Sequence, residues 1–159
     1  MKIKLGFVTN SSSVSFSGWG VQIPLLDQLA YGGIPKKFFD EVYNLYLEHC
    51  KKHDIETIPI EDFCYQALSL DNKVRTYTND ILDGEINRWY FEFFRIIADQ
   101  YSLICDVSIY SEKIFTIGKS SLEIPDDMTA RFYKEFIKSN LRKLGFDTEM
   151  FSEIFTIID

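Results

Sequence analysis

The sequence predicts an α+β domain, and two patterns carry that prediction. Apolar residues alternate with polar ones over residues 14–23 and again over 103–109, the period of half-buried strands. Longer stretches at 35–53, 85–99 and 125–144 instead repeat their apolar residues every three to four positions, the period of amphipathic helices. With 159 residues, 46% hydrophobic, and no repeat or linker, the chain suffices for one domain over residues 1–159 with a core of its own. The expected architecture is a small antiparallel sheet, made of an N-terminal strand pair and a hairpin near 102–118, packed with four to five helices.

From the N-terminus, residues 2–8 and 14–23 read as strands joined by an Asn/Ser segment, with Phe7, Val8 and Phe16 as its apolar anchors. In the second strand Trp19, Val21 and Ile23 alternate onto one face, and Gly18 and Gly20 imply a bulge or close packing. Pro35 opens a helix to about His53, with Phe39, Val42, Tyr43, Tyr46 and Cys50 as its apolar line. Pro59 precedes a short helix whose first turn holds Glu61 and Asp62, where negative charge suits the helix dipole. Residues 73–78 fit a short strand or an extended link.

Residues 85–99 are so aromatic that they resemble a strand, but Arg88, Glu92, Arg95 and Asp99 recur at helical spacing. Ile86, Trp89, Tyr90, Phe93 and Ile97 then fill the opposite face of a helix. In the following strand Leu103, Cys105, Val107 and Ile109 point inward, against Asp106 and Ser108 outward, and a turn at Ser111-Glu112 leads to a partner strand over 113–118. Pro125-Asp126-Asp127 starts a helix with Tyr133, Ile137, Leu141 and Leu144 as its core line and Gly145 as its stop. Asp147 or Thr148 caps a last helix carrying Phe151, Ile154, Phe155 and Ile158.

The net charge is −7, and it is uneven: residues 54–112 hold 12 acidic and 4 basic residues. Nucleic-acid binding relies on basic patches that displace phosphate counterions, so direct DNA or RNA binding is disfavoured. Acids in this stretch, Asp80, Asp83, Glu85 and Glu92 among them, fit a partner protein with a basic surface, against the plainer role of a solvated face. The 14 Phe and 9 Tyr imply a Phe-rich core and leave room for a surface patch. Cys50, Cys64 and Cys105 form no CxxC pair and sit among apolar neighbours, as reduced buried cysteines do. The first apolar run is too short for a signal peptide and no stretch approaches a membrane span, so a cytoplasmic location is expected.

No catalytic constellation emerges, and no cofactor or metal is expected. His49 and His53 are four apart on a helix, a spacing that can ligate zinc, but a third ligand would have to come from afar, such as Cys64 or a carboxylate. Cations at a helix C-terminus account for the pair more simply. Gly118-Lys119-Ser120-Ser121 looks like the end of a phosphate-binding loop, yet Lys113 stands where the earlier glycine belongs and no helix follows. Asp126 and Asp127 suit capping better than acid–base chemistry. Ser11, Ser12 and Ser13, with Lys119, could cradle a phosphate or nucleotide, but self-satisfaction of the turn is the default.

Residues 6–16, Gly-Phe-Val-Thr-Asn-Ser-Ser-Ser-Val-Ser-Phe, resemble the start of a group of uncharacterised bacterial and bacteriophage proteins. Those begin with a short basic-apolar strand, then Gly-Phe-Val-Ser-Asn, several serines and a Phe. Here Thr9 replaces the serine and Val14 interrupts the run. Phe115-Thr116-Ile117-Gly118-Lys119-Ser120-Ser121, followed by Asp126-Asp127-Met128-Thr129, is similar to a segment of some of them. The resemblance implies a phage or mobile-element origin and no particular activity. Expected functions are, first, a non-enzymatic accessory protein that binds a host protein, in its sharpest form an inhibitor of a host defence nuclease. The alternatives are a small-ligand binder or enzyme, and a self-associating structural subunit.

Overall fold

The computed structural model describes residues 14–68, 88–108 and 113–158. Outside them lie the expected strand over 2–8, the anchors Phe7 and Val8, the serines Ser11 to Ser13, the piece over 73–78, the turn at Ser111-Glu112, and the acids Asp80, Asp83 and Glu85. Among the described residues the fold is α+β, with four α-helices and a four-stranded antiparallel sheet ordered β2–β3–β1–β4.

Strand β1 (Val14–Pro24) is the long central strand. Its first half pairs with β4 (Ser152–Ile158), from Val14 opposite Ile158 to Gly20 opposite Ser152. Its second half pairs with β3 (Ile114–Ser120), from Gly18 opposite Ser120 to Pro24 opposite Ile114. Only residues 18–20 are flanked on both sides, and glycines fill two of those three positions. A Cβ on Gly18 would run into the Lys119 carbonyl, and one on Gly20 into the Ile117 carbonyl. The register stays continuous through both, so close packing and not a bulge explains them. β2 (Ile104–Ser108) completes the expected hairpin with β3, and the sheet curls until its edge strands β2 and β4 approach one another.

Helix α1 (Lys36–His53) follows Pro35, whose fixed φ presets the entry, and ends on a left-handed Asp54 whose N–H donates to the Cys50 carbonyl. α2 (Ile60–Leu68) carries Glu61 and Asp62 in its first turn. α3 is Arg88–Gln100 and α4 is Ala130–Lys143. The helices cover the sheet face that bears Val21, Cys105, Val107, Phe115 and Ile117, all buried. Aromatic rings knit the layers together: Phe38 of α1 lies 6.0 Å from Phe115 of β3, and Phe63 of α2 stacks on Phe94 of α3 at 6.2 Å. Phe38, absent from the expected line of α1, is fully buried beside Phe39, while Tyr43 is half-buried and donates its O–H to the Ile58 carbonyl at 2.7 Å.

Several expectations fail. The segment expected as a last helix is β4: Asp147 does cap, accepting from the Glu149 N–H at 2.9 Å, but only for a single tight turn over Thr148–Met150. Ile154, Thr156, Ile157 and Ile158 are β-branched and Phe155 is aromatic, which suits a pleated surface, and the open edge of β1 supplies the hydrogen bonds. Their apolar run fitted either period. Helix α4 starts later than Pro125. Pro125 to Met128 form a turn closed by Met128 N–H to the Pro125 carbonyl, and Thr129 is the cap, accepting from Phe132 N–H at 3.2 Å. Asp126 and Asp127 are exposed turn residues ahead of that cap. Finally, Asp106 does not face water; it is 4% exposed.

Candidate functional site

Helix α3 holds more apolar surface than a single helix can bury. Phe91, Phe93, Phe94, Ile97 and Ala98 point into the core. Trp89 and Ile96 do not; they remain 43% and 42% exposed. Seven residues apart, they share one stripe two turns long, about 10 Å. Glu92, Asp99 and Gln100, all exposed, lie beside them on the outer face. Glu92 lies 3.9 Å from Arg95.

α1 runs antiparallel alongside and frames this stripe. At one end the His49 ring meets Trp89 edge-on at 5.8 Å and Phe93 at 5.4 Å. At the other the Tyr101 hydroxyl donates to Glu41 at 3.1 Å. Trp89 is further braced by Tyr90 and Phe93 at 5.1 and 5.3 Å, so its ring is held in place while its outer face stays accessible. Large aromatic side chains fixed in this way lose little entropy when a partner covers them.

Of the residues expected to meet a partner, Glu92 is therefore on a surface with apolar anchors, and Asp80, Asp83 and Glu85 lie outside the described residues. Of those considered for an anion, Ser11, Ser12 and Ser13 also lie outside. Lys119 sits in β3 and its ammonium contacts the Glu123 carboxylate at 2.8 Å. Ser120 is buried and its hydroxyl accepts from Leu122 N–H at 3.1 Å, within a tight turn over Ser121–Glu123. The neighbourhood of Lys119 thus has its polar groups committed internally.

A second polar cluster lies on the opposite sheet face. Asp106, Thr116 and Gln22 stand in one row across β2, β3 and β1. Gln22 donates to the Thr116 hydroxyl at 3.2 Å, and Arg95 reaches from α3 to Asp106 at 3.1 Å, its guanidinium also 5.4 Å from the Phe91 ring. Arg95, expected on the solvent face, instead ties α3 to the edge strand, and this charge-assisted bond lets Asp106 be buried. Arg95→Met should cost about 1.5–3 kcal/mol, the range for a hydrogen bond to a charged group. A urea midpoint equal to wild type would show that the bond contributes nothing.

The buried thiols are poor nucleophiles. Burial pushes the Cys64 thiol up to about 12, with Glu61 adding to the shift. Burial likewise raises Cys105, against the opposing pull of Arg95. Both remain protonated at neutral pH, whereas catalysis and metal binding use the thiolate. Burial also raises the Tyr46 hydroxyl to about 12, offset in part by the N–H of Ile58, which donates to its oxygen at 2.9 Å. Among the described residues no group of three His, Cys, Asp or Glu residues is able to hold a metal, so Cys64 does not join His49 and His53 in one.

Fold and surface together define an α+β fold whose described helices cover one sheet face and whose α3 carries a fixed aromatic-acidic stripe. Among the described residues no helix is long and apolar enough to cross a membrane. Comparison with protein-family models, with curated proteins and with solved structures gives no match.

Proposed function

We propose that the protein is a non-enzymatic accessory protein of phage or mobile-element origin that binds a host protein through the outer face of α3. The exposure of Trp89 and Ile96 in one stripe beside Glu92 and Asp99 carries this reading. An apolar centre with an acidic border suits a partner whose surface is basic around an apolar pocket. The sharp form is an inhibitor of a host defence nuclease, since a nucleic-acid groove is basic and the acidic excess over 54–112, buried Asp106 apart, would oppose it. The origin rests on the resemblance of residues 6–16 described above.

Affinity capture from bacterial lysate, with wild type and Trp89→Ala side by side, tests this. The expected result is a basic, nucleic-acid-binding protein retained by wild type, lost with Trp89→Ala and released by moderate salt. Identical capture by both proteins would overturn the assignment to this face. Recovery without any basic partner would remove the nuclease form.

One observation favours a second reading, a self-associating subunit. Phe132 and Phe136 are 68% and 41% exposed, one turn apart on α4. Such a pair is a typical seed for contact between copies. Light scattering that shows a monomer at high protein concentration would eliminate it.

A further inference from the structure

His49 and His53 occupy the last turn of α1, and their rings lie 4.5 Å apart. Helical i,i+4 spacing brings the two imidazoles to one side, while Lys51 and Lys52 project from other sides of the same turn. On α3, the rings of Trp89 and Phe93 meet His49. His53 is exposed and His49 half-buried, so one ligand is fixed by packing and the other is free to adjust. The negative end of the helix dipole lies at this terminus and favours a bound cation.

We propose that His49 and His53 form a two-imidazole site for a divalent late transition-metal cation. Water or a donor from another molecule would complete the coordination, since no third His, Cys, Asp or Glu joins the pair among the described residues. Two nitrogen donors select borderline metals over calcium or magnesium, and copper(II) should bind tightest in the usual divalent order. Coordination replaces two metal–water bonds of the hydrated cation with two metal–nitrogen bonds and changes no oxidation state. The site does not depend on the protein-binding reading, although it borders the same stripe.

Titration of the full chain with copper(II) at neutral pH tests the site through Trp89. Its ring lies 5.8 Å from His49, whereas the chain's other tryptophan, Trp19, packs against Tyr133 of α4. Partial quenching that saturates at one equivalent is expected, with magnesium giving none. His53→Ala changes an exposed side chain and leaves the core intact. It should weaken copper binding at least about tenfold, because the second imidazole binds intramolecularly once the first is engaged. Electron paramagnetic resonance should show two coordinated nitrogens in wild type and one in His53→Ala. Equal affinity of the two proteins, or an unchanged nitrogen count, would overturn the proposal.

Discussion

Phe94→Ala should lower the unfolding free energy by about 3–5 kcal/mol, the range for removing a large ring from a packed core. Phe94 is fully buried at the meeting point of three helices and the sheet. Its ring stacks on Phe91 at 5.0 Å and on Phe63 at 6.2 Å, meets Phe38 and Phe39 edge-on at 5.9 and 5.6 Å, and lies 6.4 Å from Phe115. Each such pair adds up to about 1 kcal/mol beyond area burial, and the gains are not additive because one ring serves them all. Truncation leaves a void walled by five stiff rings that collapse poorly, which places the cost toward the upper end. Phe94→Leu refills part of that void and should recover more than half of the loss. Phe132→Ala is the internal comparison, since an exposed substitution of the same type should stay within about 0.5 kcal/mol. A urea midpoint for Phe94→Ala no lower than that of Phe132→Ala would refute this account of the core.

The same helix shows what the sequence makes legible. Its polar residues settle the choice between helix and strand, because charge at helical spacing cannot be buried on both faces of a sheet. The assignment of its faces is less secure. Trp89 belongs by periodicity to the inner line, yet Phe91 and Phe94 take the inner positions and Trp89 is left at the boundary. A signal was present: residues 88–100 contain seven large apolar or aromatic side chains, more than half a helix circumference accommodates. Some had to face outward, and counting them points to an exposed stripe even before its members are known. Glu92 reads as an exposed acid from charge alone, and it is one. Its apolar neighbours cannot be read so, since exposure depends on where α1 and α2 pack.

The misses share one cause. Asp106 reads as a solvent-facing residue because strand alternation presumes a flat sheet with one wet face. Here the sheet curls and Arg95 comes round its edge, a contact between elements that no local pattern encodes. β4 was missed for a related reason. A short run of Ile, Phe and Thr satisfies both periods, and only the vacant edge of β1 decides between them. Local chemistry survived in both cases: Asp147 caps a turn, and Gly145 adopts φ +94 to end α4, whatever follows.

Gly20→Ala should be among the most damaging conservative changes in the sheet, costing about 3 kcal/mol or more, comparable to severe overpacking. The added Cβ would strike the Ile117 carbonyl and lie 2.7 Å from the Gly118 Cα, so the obstruction is backbone and no side chain can swing away. Gly20 faces Gly118 on one side and Ser152 on the other, which makes it a point where three strands are locked in register. Relief would require β1 to move away from β3, and that would open the curl holding β2 near β4 and expose the row of Gln22, Thr116 and Asp106. Gain of helix propensity in the unfolded chain is trivial beside this, and the usual stabilisation from replacing glycine does not apply where the native site cannot hold a Cβ. The loss should therefore appear as a lower melting temperature together with faster amide exchange in β1 and β3, while α1 and α3 keep their relative protection. A melting temperature equal to wild type would mean that the strands tolerate a wider separation, and the tight curl would then not depend on glycine.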